Sequence, residues 1–185
     1  MKRKTIKKLI VFVCTGNTCR SPMAEAVFRK EVQALGLTKL KVCSAGTRAK
    51  KGDCINPKSA QVLEEKGVEI GEFSSKKVDK KMLKQSLAIV CMTDAQRELL
   101  MELRWNALRD TDEEEIENNV YSFSELTGYE VLDPYGRDLD CYRYVYELIE
   151  GGMAKITEKL LPAEIRKKLV EKPKKNAGKT AKKES

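Results

Sequence analysis

Leu9-Ile-Val-Phe-Val-Cys14-Thr-Gly-Asn-Thr-Cys19-Arg20-Ser21-Pro22 decides how this 185-residue chain is read. Residues 9–13 are all apolar and rich in β-branched side chains, which suits a strand buried on both faces. A short polar turn follows. From about Ser21 to Leu35 the spacing predicts a helix with Ala24, Val27, Phe28 and Leu35 on one face and Gly36 at its end. Pro22 fits the first turn of such a helix. A buried strand that runs through a polar loop into a helix is the building unit of an α/β domain.

The pattern continues along the chain. Leu40–Ser44 reads as a second strand ending in the turn Ala45-Gly46-Thr47, and Pro57 opens a helix through Lys66. Ser86–Met92 is a third buried strand, after which Thr93 or Asp94 caps a helix to about Leu103. Val120–Phe123 suits a fourth strand. A long last helix spans Asp138 to about Leu161, with Val145, Leu148, Ile149, Ile156 and Leu160 inward. Gly151-Gly152 would weaken it by roughly 1 kcal/mol each and invites a bend there. Strands alternating with helices predict a three-layer α/β domain, a four-stranded parallel sheet covered by helices on both faces.

Composition narrows the function classes. With 41% hydrophobic residues the chain can bury a core without disulfides or metals. Its longest apolar run, Leu9–Cys14, falls far short of the roughly 20 residues of a membrane span. The basic start followed by LIVFV lacks a signal peptide's cleavage site, so a cytoplasmic location is expected. The net charge of +8 sits at the ends: residues 1–8 carry +5 and residues 166–185 carry +7, leaving 9–165 near −4. A domain of that charge is not a basic nucleic-acid reader. The Lys-rich segment 166–185 lacks aromatics and is expected to be a disordered tail behind a domain spanning 1–165. For the tail alone, docking to nucleic acid or an acidic partner stays open beside a solubilising role. Asp112–Glu117 reads as a solvated acidic run. There is no His, and the six cysteines (14, 19, 43, 54, 91, 141) show no C-x-x-C pair. No metal and no cofactor are therefore expected, and His-based catalysis is excluded.

The loop after the first strand carries the chemistry. Ligands of open α/β sheets bind at the carboxyl ends of the strands, and a helix N-terminus offers unsatisfied N–H groups and a positive dipole to an anion. Cys14 would sit in that field, which favours its thiolate. Arg20 can place a planar fork on two phosphate oxygens. A nucleophile, a ring of amides and a bidentate cation are the parts needed for phosphoryl transfer through a cysteinyl phosphate. The bare Cys–Arg spacing is a weak signal; the whole string in its strand–loop–helix context is a strong one.

VCTGNTCRSPMAEA closely resembles the active-site segment of the low-molecular-weight protein tyrosine phosphatases, an α/β family of about this size. Ser44-Ala45-Gly46-Thr47 resembles that family's second-strand turn, Met92-Thr93 its third-strand exit, and Val131-Leu-Asp133-Pro134-Tyr135-Gly136 the loop bearing its general acid. The resemblance covers residues 9–161. It implies Cys14 as nucleophile, Arg20 as phosphate clamp and Asp133 as the acid that protonates the leaving group and then deprotonates water. It further implies a phosphate loop of Thr15, Gly16, Asn17, Thr18, Cys19 and Ser21, in which Asn17 holds the shape and Ser21 donates to the thiolate. Tyr135 would line the substrate slot, or else pack on the last helix. Many members carry a His where this chain has Phe73, which leaves the support of Asn17 to another residue, with Ser44 the candidate.

Thr18 bears on the substrate. Tyrosine phosphatases of the family usually have Ile there, an apolar wall for a ring. The bacterial protein-arginine phosphatases have Thr, and Cys-Thr-Gly-Asn-Thr-Cys-Arg-Ser resembles their loop throughout. The expected function is therefore hydrolysis of phosphoarginine on proteins, with phosphotyrosine as the alternative. Arsenate reductases share the loop style but need a close cysteine pair after the third strand, where Cys91 stands alone. A non-catalytic phosphate-binding module would have no use for Cys14, Arg20 and Asp133 together. The partner expected is a phosphorylated protein; the oligomeric state is left open.

Overall fold

The first strand, β1 (Leu9–Cys14), is flanked by β2 (Lys41–Gly46) and β3 (Ala88–Cys91), and β4 (Val120–Ser122) completes the sheet in the order β2-β1-β3-β4, all parallel. The computed structural model describes residues 7–109 and 118–170. The acidic run at 112–117, the first six residues and the segment from 171 onward lie outside the described residues. Phe12 pairs with Ser44 on one side and Val90 on the other, and every residue of β1 from Ile10 to Cys14 is buried. This double burial explains why β1 and β3 read as continuous apolar runs rather than alternating ones.

Helices cover both faces, as the alternation predicts. On one face α1 (Arg20–Ala34) and α6 (Leu139–Leu160) pack on Ile10, Phe12, Val90 and Met92, with α2 (Pro57–Glu65) and α5 (Phe123–Thr127) beside α6. On the other, α3 (Lys80–Gln85) and α4 (Asp94–Leu108) bury Leu83 and Leu100 against Val11, Val13, Ile89 and Val120. Caps set most of the helix starts: Asn56, Asp79, Thr93 and Asp138 each accept a first-turn N–H, and Ser122 forms a capping box with Glu125. Among the described residues no helix is long and apolar enough to cross a membrane.

Several sequence expectations change. Leu35 leaves the buried face of α1: it is the C-cap, 41% exposed, because Gly36 at φ +67° turns the chain there. Helix α4 runs past Leu103 to Leu108. The tail boundary at 165 moves as well, since α7 (Ala163–Leu169) takes in residues 166–169. Leu169 is fully buried, Ile165 packs on the core, and Lys39 N–H donates to the Leu169 carbonyl at 3.0 Å. Two apolar anchors, Leu169 and Ile165, therefore hold a segment that its lysines alone would leave in water.

Helix α6 passes unbroken through Gly151-Gly152. A Cβ on Gly152 would stand 2.5 Å from Cζ of the buried Phe123 ring and 2.9 Å from Thr127 Cγ2, so the glycine serves close helix packing. Gly152→Ala is expected to destabilise the domain by about 1–3 kcal/mol, overpacking exceeding the alanine's gain in helix propensity. Thermal unfolding should show it as a lowered Tm; an unchanged or raised Tm would contradict the packing argument.

Candidate active site

The loop between β1 and α1 closes around the Cys14 sulfur. Asn17 N–H donates to Cys14 Sγ at 3.3 Å, and the Ser21 hydroxyl lies 3.0 Å from the same sulfur. The bend needs a left-handed residue, and Asn17 supplies it at φ 56°, the only non-glycine with positive φ among the described residues. Asparagine tolerates that conformation better than most side chains. Helix α1 begins at Arg20 with no side-chain cap, so its first-turn amides remain for another acceptor. An uncapped 15-residue helix opening onto a tight loop is a built anion site.

Asn17 is itself fixed on three sides. Its Nδ2 donates to Ser21 Oγ (3.0 Å) and Ser44 Oγ (2.9 Å), and its Oδ1 accepts Lys76 N–H (2.9 Å). Ser44 thus supports the loop despite Phe73, and its hydroxyl passes on to Glu25 Oε2 at 2.6 Å. Glu25 is 8% exposed on the inner side of α1 and is paired with Arg29, which reaches the Ile70 carbonyl. Sequence reading missed Glu25: with Arg29 four residues on, it looks like an ordinary surface pair. It also missed Gln96, whose Nε2 donates to Thr15 Oγ1 at 3.1 Å from the start of α4.

Arg20 and Asp133 meet across the site. Arg20, 4% exposed, directs Nη2 to Asp133 Oδ2 at 2.6 Å and Nη1 to the Val131 carbonyl at 3.3 Å, while its buried Nε has no partner. Asp133 is half exposed on the opposite rim. Its Oδ1 accepts Tyr135 N–H at 3.2 Å, so the turn starting at Pro134 holds the carboxylate in place. Cys14, Thr15, Gly16, Thr18, Cys19, Arg20, Asp133 and Tyr135 line one cavity of about 250 Å³. Every residue expected of the site from sequence borders this cavity or, for Asn17 and Ser21, braces its floor. Tyr135 is 74% exposed on the rim, whereas the tyrosines packed in the core by α6 are Tyr142 and Tyr146.

Besides Cys14 the cavity is lined by the thiol of Cys19, and Cys43 and Cys91 lie outside its lining. Burial pushes the Cys43 thiol up to about 11 and the Cys91 thiol higher still, keeping both protonated. Cys19 is buried, 3.6 Å from the Tyr142 hydroxyl, whose phenol burial also holds in its neutral form. A sulfur at the end of a strand, an anion cradle and a cation facing a carboxylate can together carry out phosphoryl transfer.

The family model for low molecular weight phosphotyrosine protein phosphatases matches residues 9–171. The chain belongs to that family. It is 32% identical over 154 residues to a protein-arginine-phosphatase of Bacillus subtilis, covering 82% of this chain and 95% of the relative. It is also 32% identical over 140 residues to the low molecular weight protein-tyrosine-phosphatase PtpB of Staphylococcus haemolyticus, covering 75% and 89%. Among solved structures, a mutant of the YwlE arginine phosphatase with a phosphorylated active site serine superposes with a TM-score of 0.72 at 27% identity, covering 85% of this chain and 99% of that one. The enzyme is thus a cysteine-dependent protein phosphatase, of a family whose members act on phosphorylated proteins.

Proposed function

We propose that the enzyme hydrolyses phosphoarginine on proteins. The observation that carries this reading is Thr18: it lines the cavity, and among the described residues its hydroxyl has only Cys19 Sγ, at 3.7 Å, as a hydrogen-bond partner. A hydroxyl on the wall can serve the polar guanidinium side of the substrate or the attacking water. Against a phenyl ring it would be left with only that long contact to sulfur, at a cost of up to about 1–3 kcal/mol. The likeness to the Bacillus subtilis protein-arginine-phosphatase supports the same choice. Phosphotyrosine is the second reading, supported by the equal identity to PtpB. Tyr135 suits both, since its exposed ring offers a face to a guanidinium plane as well as to an aryl group.

In this reading the phosphate enters the loop and Arg20 exchanges Asp133 for two phosphate oxygens. The Cys14 thiolate, steadied by the Ser21 hydroxyl and Asn17 N–H, attacks phosphorus. The P–N bond breaks, and Asp133, as the carboxylic acid, gives its proton to the departing nitrogen. Water then attacks the cysteinyl phosphate, Asp133 takes the water's proton, and the S–P bond breaks. Inorganic phosphate leaves, and the thiolate is restored.

Thr18→Ile tests the substrate. The change removes the hydroxyl and adds apolar surface, while both residues are β-branched and suit the same backbone. The ratio of kcat/KM for phosphoarginine over phosphotyrosine peptides is expected to fall by more than about tenfold, within the 10–200-fold range of such a contact. A wild type that already prefers phosphotyrosine, or a ratio that does not move, would reject phosphoarginine and leave the cysteine mechanism standing.

A further inference from the structure

The connection from β2 to α2 carries three exposed cations in four residues, Arg48, Lys50 and Lys51. It is pressed onto the phosphate loop. Thr47 N–H donates to the Cys14 carbonyl and Arg48 N–H to the Thr15 carbonyl, both at 2.9 Å. Gly46 permits the approach: a Cβ there would lie 2.6 Å from the Thr15 carbonyl oxygen and 2.9 Å from both Ala49 Cβ and the Asn17 nitrogen. A second segment runs alongside, tied to the first by Gly52 N–H to the Ser75 carbonyl (3.1 Å) and Ser75 N–H to the Asp53 carbonyl (3.0 Å). It brings Lys76 and Lys77, both exposed, and Lys76 N–H is the group that fixes Asn17. Across 47–53 and 75–77 the only acid is Asp53, and among the described residues none of the five cations forms an ion pair.

We propose that this basic border docks acidic residues flanking the phosphorylated side chain, so that the enzyme favours phosphorylation sites within acidic segments of its substrates. The inference rests on the phosphate loop being the catalytic centre and is independent of the choice between phosphoarginine and phosphotyrosine. Phosphate itself is served by Arg20 and the loop, so the border cations are left for what surrounds it. An extended peptide advances about 3.3 Å per residue, which keeps the first two or three neighbours within a Debye length of the border. Each exposed pair contributes little, but several like charges on one side steer encounter and select by sign. Lysines on flexible stems give a graded preference rather than a fixed consensus.

The test uses the full chain and peptides that share one phosphorylated residue and differ only in acidic, neutral or basic flanks. At low salt, kcat/KM is expected to be about tenfold or more higher with acidic than with basic flanks, and the ratio should fall towards one near ~0.5 M salt. Arg48→Glu with Lys50→Glu and Lys51→Glu should invert the preference while changing hydrolysis of a small aryl phosphate by less than about twofold. The milder pair Lys50→Ala and Lys51→Ala should halve it or more. Equal rates on all flanks, a salt-insensitive preference, or one untouched by these substitutions would overturn the proposal. Failure of the wild type to hydrolyse the aryl phosphate at all would overturn the catalytic reading, and this inference with it.

Discussion

Cys14→Ser is expected to lower kcat by about 10⁴-fold or more while inorganic phosphate still binds. The hydroxyl keeps the size of the side chain and its place at the end of β1, fully within the loop's reach, but it is a far poorer nucleophile than a thiolate. Nothing that cradles the anion is removed: Arg20, the uncapped start of α1 and the Asn17–Ser21–Ser44 bracing all remain. Steady-state rates and a phosphate titration check both halves. Activity near wild type would end the cysteine mechanism, and loss of phosphate binding would show that the substitution had disturbed the loop instead. Arg20→Lys should be nearly as damaging for a different reason, since an ammonium cannot replace the planar two-pronged contact.

Asp133→Ala is the second large effect, expected at about 10²–10⁴-fold in kcat on protein substrates. The loss should be smallest for an aryl phosphate whose leaving group needs no proton. The ion pair adds a signature that a merely structural residue would lack. Asp133 pairs with Arg20 at 2.6 Å, so a phosphate held by Arg20 must displace it. Without that carboxylate, Arg20 is free and a repelling negative charge is gone, and inhibition by inorganic phosphate should become tighter as turnover falls. An equal loss on every substrate would count against proton transfer, and weaker phosphate inhibition would count against the displacement.

Much of this was legible in sequence because it is local. The buried strand, the loop and the start of α1 lie within residues 9–22, and hydrophobic period, the glycine at the turn and proline at the helix start all operate over a few residues. The short helices α3 and α5 escaped for the same reason in reverse: at six and five residues they are too brief to show a period. Helix α7 escaped because its lysines dominate its composition while its stability comes from Leu169 and Ile165 against the core.

Sequence by itself therefore determined the fold class, the phosphate loop and the residue types that could react there. The tertiary structure alone decided what faces them. Arg20 and Asp133, 113 residues apart, become partners because β1 and β3 lie side by side and the chain leaving β3's end returns through Val131. Glu25 turns from a surface-like charge into the buried end of the Asn17–Ser44 relay because α1 presents it to β2. The lysines at 50, 51, 76 and 77, scattered in sequence among many others, gather beside one loop because hydrogen bonds from Gly46, Thr47 and Arg48 draw both segments to it. Such contacts depend on which strands neighbour each other, and no short-range pattern of side chains encodes that.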